Sequence, residues 1–176
     1  AALDFSPLMI DRLVARAARE GATKIEAVVG DGMALPWPAA SFDAGFSMFG
    51  LMFFPSRAIG FRELARVLVP GAPAVVSSWT DLSRDPVFAL VFGKIGELLN
   101  PGASSRPVFP LTTPEECRSE MSAGGFTDVT VSQHDATSTA PSPAAFVAHL
   151  VRTNAMIALT KRAMGDAFVA VEESLV

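Results

Sequence analysis

The sequence predicts an α/β layered fold, a mostly parallel sheet with flanking helices. Three observations predict it. Short apolar, β-branched runs recur between stretches of helical periodicity through residues 1–79, the pattern of strands covered on both faces. Strong punctuation separates these runs: Ser6-Pro7, Gly21, Gly30 and Pro70-Gly71. Two of the runs end on an acid, Asp4 and Asp31.

Taken in order, Ala1-Ala2-Leu3-Asp4 reads as the last turn of a strand. Ser6 then offers an N-cap and Pro7 a first helical residue. Leu13, Val14, Ala17 and Ala18 share one helical face, which Met9 or Ile10 extends, and Gly21 ends the helix. Ile25 to Val29 is a buried strand closing on Gly30-Asp31. Pro36 and Pro38 make residues 35–41 a loop. Asp43 to Met48 is the next strand, and residues 50–56 are a loop. A helix spans Ile59 to Val69 with Ile59, Leu64, Val67 and Leu68 on its buried side. Pro70-Gly71 stops it, and Ala74 to Trp79 is a further buried strand.

The remainder is less regular. Pro86 to Leu99 is a helix ended by Asn100-Pro101-Gly102, and residues 103–110 are a polar loop. Thr113 caps a helix from Pro114 to about Ser122, ended by Gly124-Gly125. Val129 to about Ser138 alternates as a strand does. Ser142-Pro143 opens a helix reaching about Val151, and residues 155–176 are helical, interrupted near Gly165-Asp166.

Composition narrows the classes of function. Half of the 176 residues are hydrophobic and 18% are charged, which excludes a disordered chain. The net charge is −4 and no Lys/Arg cluster stands out, so no nucleic-acid partner is expected. The longest apolar run, Phe46 to Phe54, is far short of the ~20 residues of a membrane helix. A single cysteine, Cys117, forms no internal disulfide and fits a reducing, cytoplasmic setting. No His/Cys/Asp/Glu cluster has metal-ligand spacing. His134, His149 and Cys117 read as structural, and the methionines as core.

Ligands of parallel α/β sheets bind beyond the carboxyl ends of the strands, where Asp4 and Asp31 fall. An ionised carboxylate only accepts hydrogen bonds. One such acid suits ribose hydroxyls and another the exocyclic amine of adenine, with Phe5 and Met33 on either side of the ring. The plainer reading makes both acids polar strand ends feeding turns.

Four motifs carry a family resemblance. Asp4-Phe5-Ser6-Pro7-Leu8-Met9, Gly30-Asp31-Gly32-Met33-Ala34-Leu35-Pro36-Trp37, Ser41-Phe42-Asp43 and Arg66-Val67-Leu68-Val69-Pro70-Gly71 resemble class I S-adenosylmethionine-dependent methyltransferases. The similarity is to the methyltransferase domain 11 group, the ubiquinone/menaquinone-biosynthesis type. Phe49 to Phe54 and Gly124-Gly125-Phe126 fit it too, and the resemblance covers residues 3–135. It implies a Rossmann-like sheet and S-adenosylmethionine as cofactor. Asp4, with Phe5 beside it, would bind the ribose. Asp31 would bind the adenine amine, with Gly32 and Met33 against the ring. Ser47 to Phe49 would border the methionine arm, and Arg66 to Gly71 would be structural. Gly71-Ala72 departs mildly from the Gly-Gly pair of many relatives.

The resemblance also implies a partial domain over residues 1–176. Residues 1–79 would be its cofactor part, and residues 80–176 substrate-side helices plus one late strand. The family's first strand with its Gly-rich loop and its last strand are not found in the sequence. The family's second and fourth strands, here those ending at Asp4 and Met48, would then have unpaired inner edges. The expected reaction is methyl transfer to a small, partly apolar acceptor by a full-length parent, with this piece inactive alone. The sequence nominates no catalytic base and no oligomeric state. Two other readings stand beside it. A nicotinamide-dependent oxidoreductase shares the strand-end acid, but the chain has no tyrosine for a Tyr/Lys proton relay. A non-catalytic, degenerate methyltransferase-like module shares the fold.

Overall fold

The computed structural model describes residues 1–81, 85–99, 110–137, 139–153 and 155–174. The element order is β1 (Ala2–Asp4), α1 (Pro7–Arg19), β2 (Ala27–Val29), β3 (Gly45–Met48), a 3-10 turn (Leu51–Phe53), α2 (Arg57–Val67), β4 (Ala74–Ser77), α3 (Pro86–Leu99), α4 (Pro114–Ala123), α5 (Pro143–Thr153), α6 (Ala155–Met164), a second 3-10 turn (Gly165–Ala167) and α7 (Phe168–Ser174). The expected helix stop at 100–102 and the polar loop over 103–109 lie outside the described residues. The chain divides into two compact units, Ala1–Thr80 with Phe109–Ser132, and Asp81–Val108 with Gln133–Val176.

The first unit holds all the described strands. β1 pairs parallel with β2, Asp4 opposite Val29, and β3 pairs parallel with β4, Met48 opposite Ser77. These are two separate two-stranded ladders. Among the described residues β1 and β3 each lack a second partner, which agrees with the break expected between them. Helices and parallel strands alternate as predicted, and the fold class is α/β, Rossmann-like and incomplete as a sheet.

Local chemistry explains the elements. Ser6 is the N-cap of α1 and Pro7 its first residue, but the Ser6 side chain makes no capping bond. Its backbone N–H instead donates to Asp4 Oδ1 at 2.8 Å. α1 buries Ile10 and Ala17, while Val14, expected on the same face, is half in solvent. Gly21 takes φ +67°, a left-handed value that glycine adopts without a Cβ penalty. α2 starts two residues earlier than expected and ends at Val67, because Leu68 turns extended and bridges Phe42. α4 is capped by Thr113, whose hydroxyl accepts the Glu116 N–H at 3.2 Å.

The core of this unit is Leu51, Met52, Phe61 and Leu111, with Phe54, Leu64, Val76, Cys117, Met121 and Phe126 packed on it. The expected inner side of α2 was Ile59, Leu64, Val67 and Leu68. The residues that are buried are Gly60, Phe61, Val67 and Leu68, and Ile59 faces out. The strands are also less covered than predicted. Gly45 packs on Leu64 and Leu68, yet Phe46, Met48 and Val75 are exposed. Their β-branched and aromatic runs suit burial on two faces, and the described residues cover only one.

Residues 129–137, expected as a strand, form no ladder. The alternation is real, since Val129 and Val131 are half-buried between exposed Thr130 and Ser132. A strand also needs a ladder along its length, and among the described residues this segment belongs to no ladder.

The regular elements of the second unit are all helical among its described residues. Val91 of α3, Val147 and Leu150 of α5, Ile157 of α6, and Phe168 and Val171 of α7 are its buried apolar residues. Lys161 ties α6 to α7, with Nζ 2.8 Å from Glu172 and 5.8 Å from the Phe168 ring centre. No helix of the described residues is long and apolar enough to cross a membrane.

Candidate functional site

The parallel ladder β1–β2 puts both predicted acids at the same end. Asp4 closes β1, and its backbone carbonyl accepts the Gly30 N–H at 3.0 Å, which fixes the chain leaving β2 beside it. Asp31 follows immediately. Each carboxylate shapes its own exit loop: Asp4 takes the Ser6 N–H and Asp31 takes the Met33 N–H, both at 2.8 Å. These are Asx-type turns, the plainer role foreseen for them. A carboxylate has about four acceptor positions, so one such bond leaves each acid acceptors to offer. Phe5 is 79% exposed beside Asp4, and Met33 is half-buried beside Asp31.

Gly32 has a packing reason to be glycine. A Cβ there would overlap the Phe54 ring, and the same ring lies 2.5 Å from a Cβ built on Gly60. Two glycines thus admit one phenyl ring between the loop after β2 and helix α2, which joins the Asp31 loop to the second half of the unit.

At the carboxyl end of β3, Ser47 Oγ accepts the Leu51 N–H at 3.0 Å and so caps the following 3-10 turn. Phe49 stands at φ +54°, a left-handed conformation that costs a bulky residue energy. Its ring stacks on Trp79 at 4.2 Å and 21°, and its N–H donates to Ser77 Oγ at 3.0 Å. These two contacts at the ends of β3 and β4 hold the strained residue. The left-handed backbone costs about 1–2 kcal/mol, and an aromatic pair contributes about 0.5–1.5 kcal/mol. The two nearly cancel, so Phe49→Gly is expected to change urea-denaturation stability by less than about 1 kcal/mol. A loss beyond about 3 kcal/mol would show that the ring anchors more than Trp79.

Sequence reasoning assigned Arg66 to a helix-ending pattern and passed over Glu63. The structure gives both a further part. Arg66 Nη1 donates to the Trp37 carbonyl at 2.8 Å and Nη2 to the Leu35 carbonyl at 3.0 Å. Glu63 Oε2 accepts the Leu35 N–H at 2.8 Å. The two side chains pair through Nε–Oε1 at 2.6 Å and Nη2–Oε2 at 2.7 Å. The Glu63-x-x-Arg66 spacing was the available signal, since residues three apart share a helix face. The Arg66 hydrogen bond is the largest cause holding the Glu63 carboxyl below its ordinary range. The Leu35 N–H and the Arg66 charge add to it, and desolvation opposes.

A depressed carboxyl stabilises the fold above its unfolded value and loses that contribution as pH falls through the folded one. The melting temperatures of the wild type and Glu63→Gln should therefore differ near neutral pH. They should converge as pH falls below the ordinary carboxyl range and through the depressed value of Glu63. A difference that does not shrink at all on acidification would overturn the assignment to Glu63.

The remaining candidates stay out of this arrangement. Cys117 donates to the Leu111 carbonyl at 3.4 Å, and burial pushes its thiol up. A nucleophilic cysteine needs the opposite shift. His134 and His149 belong to the second unit and are exposed. No group of three or more His, Cys, Asp or Glu among the described residues is placed to hold a metal ion.

Comparison with known proteins bears on the same residues. Residues 1–76 match the family model described as Methyltransferase domain. A demethylmenaquinone methyltransferase of Deinococcus radiodurans is 33% identical over 135 residues, covering 70% of this chain and 56% of that protein. An uncharacterized protein of Mycobacterium tuberculosis is 38% identical over 77 residues, 44% of this chain and 28% of that protein. A probable chloroplastic tocopherol O-methyltransferase of Oryza sativa subsp. japonica is 33% identical over 85 residues, 48% of this chain and 24% of that protein. The chain thus spans between about a quarter and somewhat over half of these relatives' lengths. The segment that the family model matches carries two parallel ladders, with Asp4 and Asp31 at the carboxyl end of the first, in agreement with the motif order, and through residues 1–76 the chain is similar to the methyltransferase domain family.

Proposed function

We propose that the full-length protein transfers a methyl group from S-adenosylmethionine to a small, partly apolar acceptor. The observation that carries this reading is the placement of Asp4 and Asp31 at one end of the β1–β2 ladder. Two acceptor-only groups there suit a ligand rich in donors, such as the ribose hydroxyls and adenine amine of a nucleoside. Asp4 takes the ribose, with Phe5 beside it. Asp31 takes the adenine amine, and Met33 and the Gly32 backbone lie against the ring. Ser47 and Phe49 border the methionine arm.

The cofactor, when bound, supplies a methyl on a sulfonium whose leaving group is a neutral thioether. The protein therefore has little covalent work to do. Its residues hold the donor and exclude water, and alignment alone supplies about 7–11 kcal/mol of the barrier at best. A general base is needed only where the acceptor must lose a proton. The stacked Phe49 and Trp79 and the exposed Phe53 give the β3–β4 end an apolar surface, which supports an acceptor with an apolar part. Similarity to a demethylmenaquinone methyltransferase and to a probable tocopherol O-methyltransferase supports the same class. A cytoplasmic setting accompanies the reading, on the strength of the single cysteine.

Titration of S-adenosylhomocysteine into the full-length gene product by calorimetry tests the reading. Micromolar binding is expected, weakened at least tenfold by Asp4→Ala and by Asp31→Ala. Binding of NAD in its place would favour the oxidoreductase and overturn it. The 176-residue piece alone is expected to bind weakly or not at all, because no ladder joins β1–β2 to β3–β4 among its described residues. Micromolar affinity of the piece would refute that part.

A further inference from the structure

We propose that Glu63 and Arg66 of α2 are positioning residues for the nucleoside wall of the pocket, a role that rests on the reading of Asp31 as a nucleoside contact. An ordinary salt bridge three residues apart on a helix contributes little and orders nothing else. This pair differs in what its remaining atoms hold. The segment after Asp31 is Leu35-Pro36-Trp37-Pro38, and its two prolines have no N–H to give to a ladder or turn. Its carbonyls and its Leu35 N–H need partners from elsewhere. α2 supplies them across 28 to 31 residues of sequence: Glu63 takes the Leu35 N–H, and Arg66 donates to the Leu35 and Trp37 carbonyls. Both backbone polar groups of Leu35 are thereby held by one ion pair.

The near end of the same loop is closed by Asp31 itself. Its side chain takes the Met33 N–H at 2.8 Å and its carbonyl the Ala34 N–H at 3.0 Å. The loop is therefore pinned at Asp31 and again four residues later, and the second pin is the Glu63–Arg66 pair. Releasing it lets the Asp31 turn sample other orientations, and a ligand must then order the turn on binding, which costs affinity. Arginine is needed for its planar fork. A lysine keeps the charge but cannot serve Glu63 and two carbonyls in one fixed plane.

Titration of S-adenosylhomocysteine into the full-length gene product, by calorimetry and well below every variant's melting temperature, tests the pair. Arg66→Lys is expected to raise the dissociation constant about tenfold, and Glu63→Gln, which keeps an acceptor for Leu35, by a smaller factor. Arg57→Lys is the control. Arg57 makes the other tight arginine–glutamate pair of α2, to Glu120 of α4 at 2.6 Å, away from the loop. It is expected to lower the melting temperature and leave the dissociation constant unchanged. Should Arg66→Lys fail to fold, Glu63→Gln alone decides. Normal affinity in the Arg66 and Glu63 variants, with loss in Asp31→Ala, would overturn the positioning role and leave the pocket standing. Unchanged affinity in Asp31→Ala, or no binding by the wild type, would instead overturn the pocket reading and the pair's role with it.

Discussion

Phe61→Ala is expected to remove about 3–5 kcal/mol of stability from the strand-bearing unit. Phe61 is 1% exposed and forms the buried cluster with Leu51, Met52 and Leu111. Truncating it to alanine loses the transfer energy of the ring and opens a cavity that the neighbours fill only in part. They have little freedom to do so. Leu51 and Met52 are fixed in a 3-10 turn whose first N–H is tied to Ser47, and Leu111 sits at φ +59° with its carbonyl held by Ser78 at 2.6 Å. Against a total of about 5–15 kcal/mol for a domain, the loss leaves the unit marginal. Urea denaturation measures it. Ile59→Ala, on the same helix but 39% exposed, is the comparison and is expected to cost under about 1 kcal/mol. A loss below about 1.5 kcal/mol for Phe61→Ala would place the core elsewhere.

The same helix shows where sequence reading stops. A period of 3.6 identifies α2 as amphipathic, yet it put Ile59 inside and overlooked Phe61 and Gly60. Gly60 is inward because the Phe54 ring needs its space, a fact that belongs to Phe54 and cannot be read from the helix alone. Asp4 and Asp31 were legible because their signal is local: an apolar run, an acid, then turn residues. Glu63 and Arg66 were not, because what distinguishes them is a loop 28 to 31 residues away. The left-handed Phe49 was also hidden. Phenylalanine has no preference for that region, and its conformation rests on Trp79 and Ser77. Residues 129–132 alternate in burial and still form no strand, since alternation reports a face and a ladder depends on a neighbouring strand.

Gly124 and Gly125 were read together as a helix stop, and the structure separates them into two requirements with distinct expected results. Gly125 has φ +107° and follows α4 as the residue that reverses the chain. Its Cβ would meet only Ala65 at 3.7 Å, so Gly125→Ala costs backbone strain, about 1–2 kcal/mol, without a clash. Gly124 has an ordinary φ of −77°. It is buried, and a Cβ there would overlap Phe61 Cβ and lie 3.3 Å from the Phe61 backbone carbon. Backbone atoms cannot swing aside as a side-chain tip does, so Gly124→Ala must push α4 off α2. That displacement strains the Arg57–Glu120 pair, which spans the same two helices. The expected cost is about 1–3 kcal/mol or more. Combining each with Phe61→Gly, which removes the overlapped Cβ that Phe61→Ala keeps, distinguishes the two mechanisms. Gly124→Ala contacts Phe61 and should be non-additive with its truncation by at least about 0.5 kcal/mol, whereas Gly125→Ala should add within about 0.5 kcal/mol. Equal additivity for both glycines in urea denaturation would mean that α4 does not depend on the close approach at Gly124. The Gly-Gly pair would then be the simple terminator that its sequence suggests.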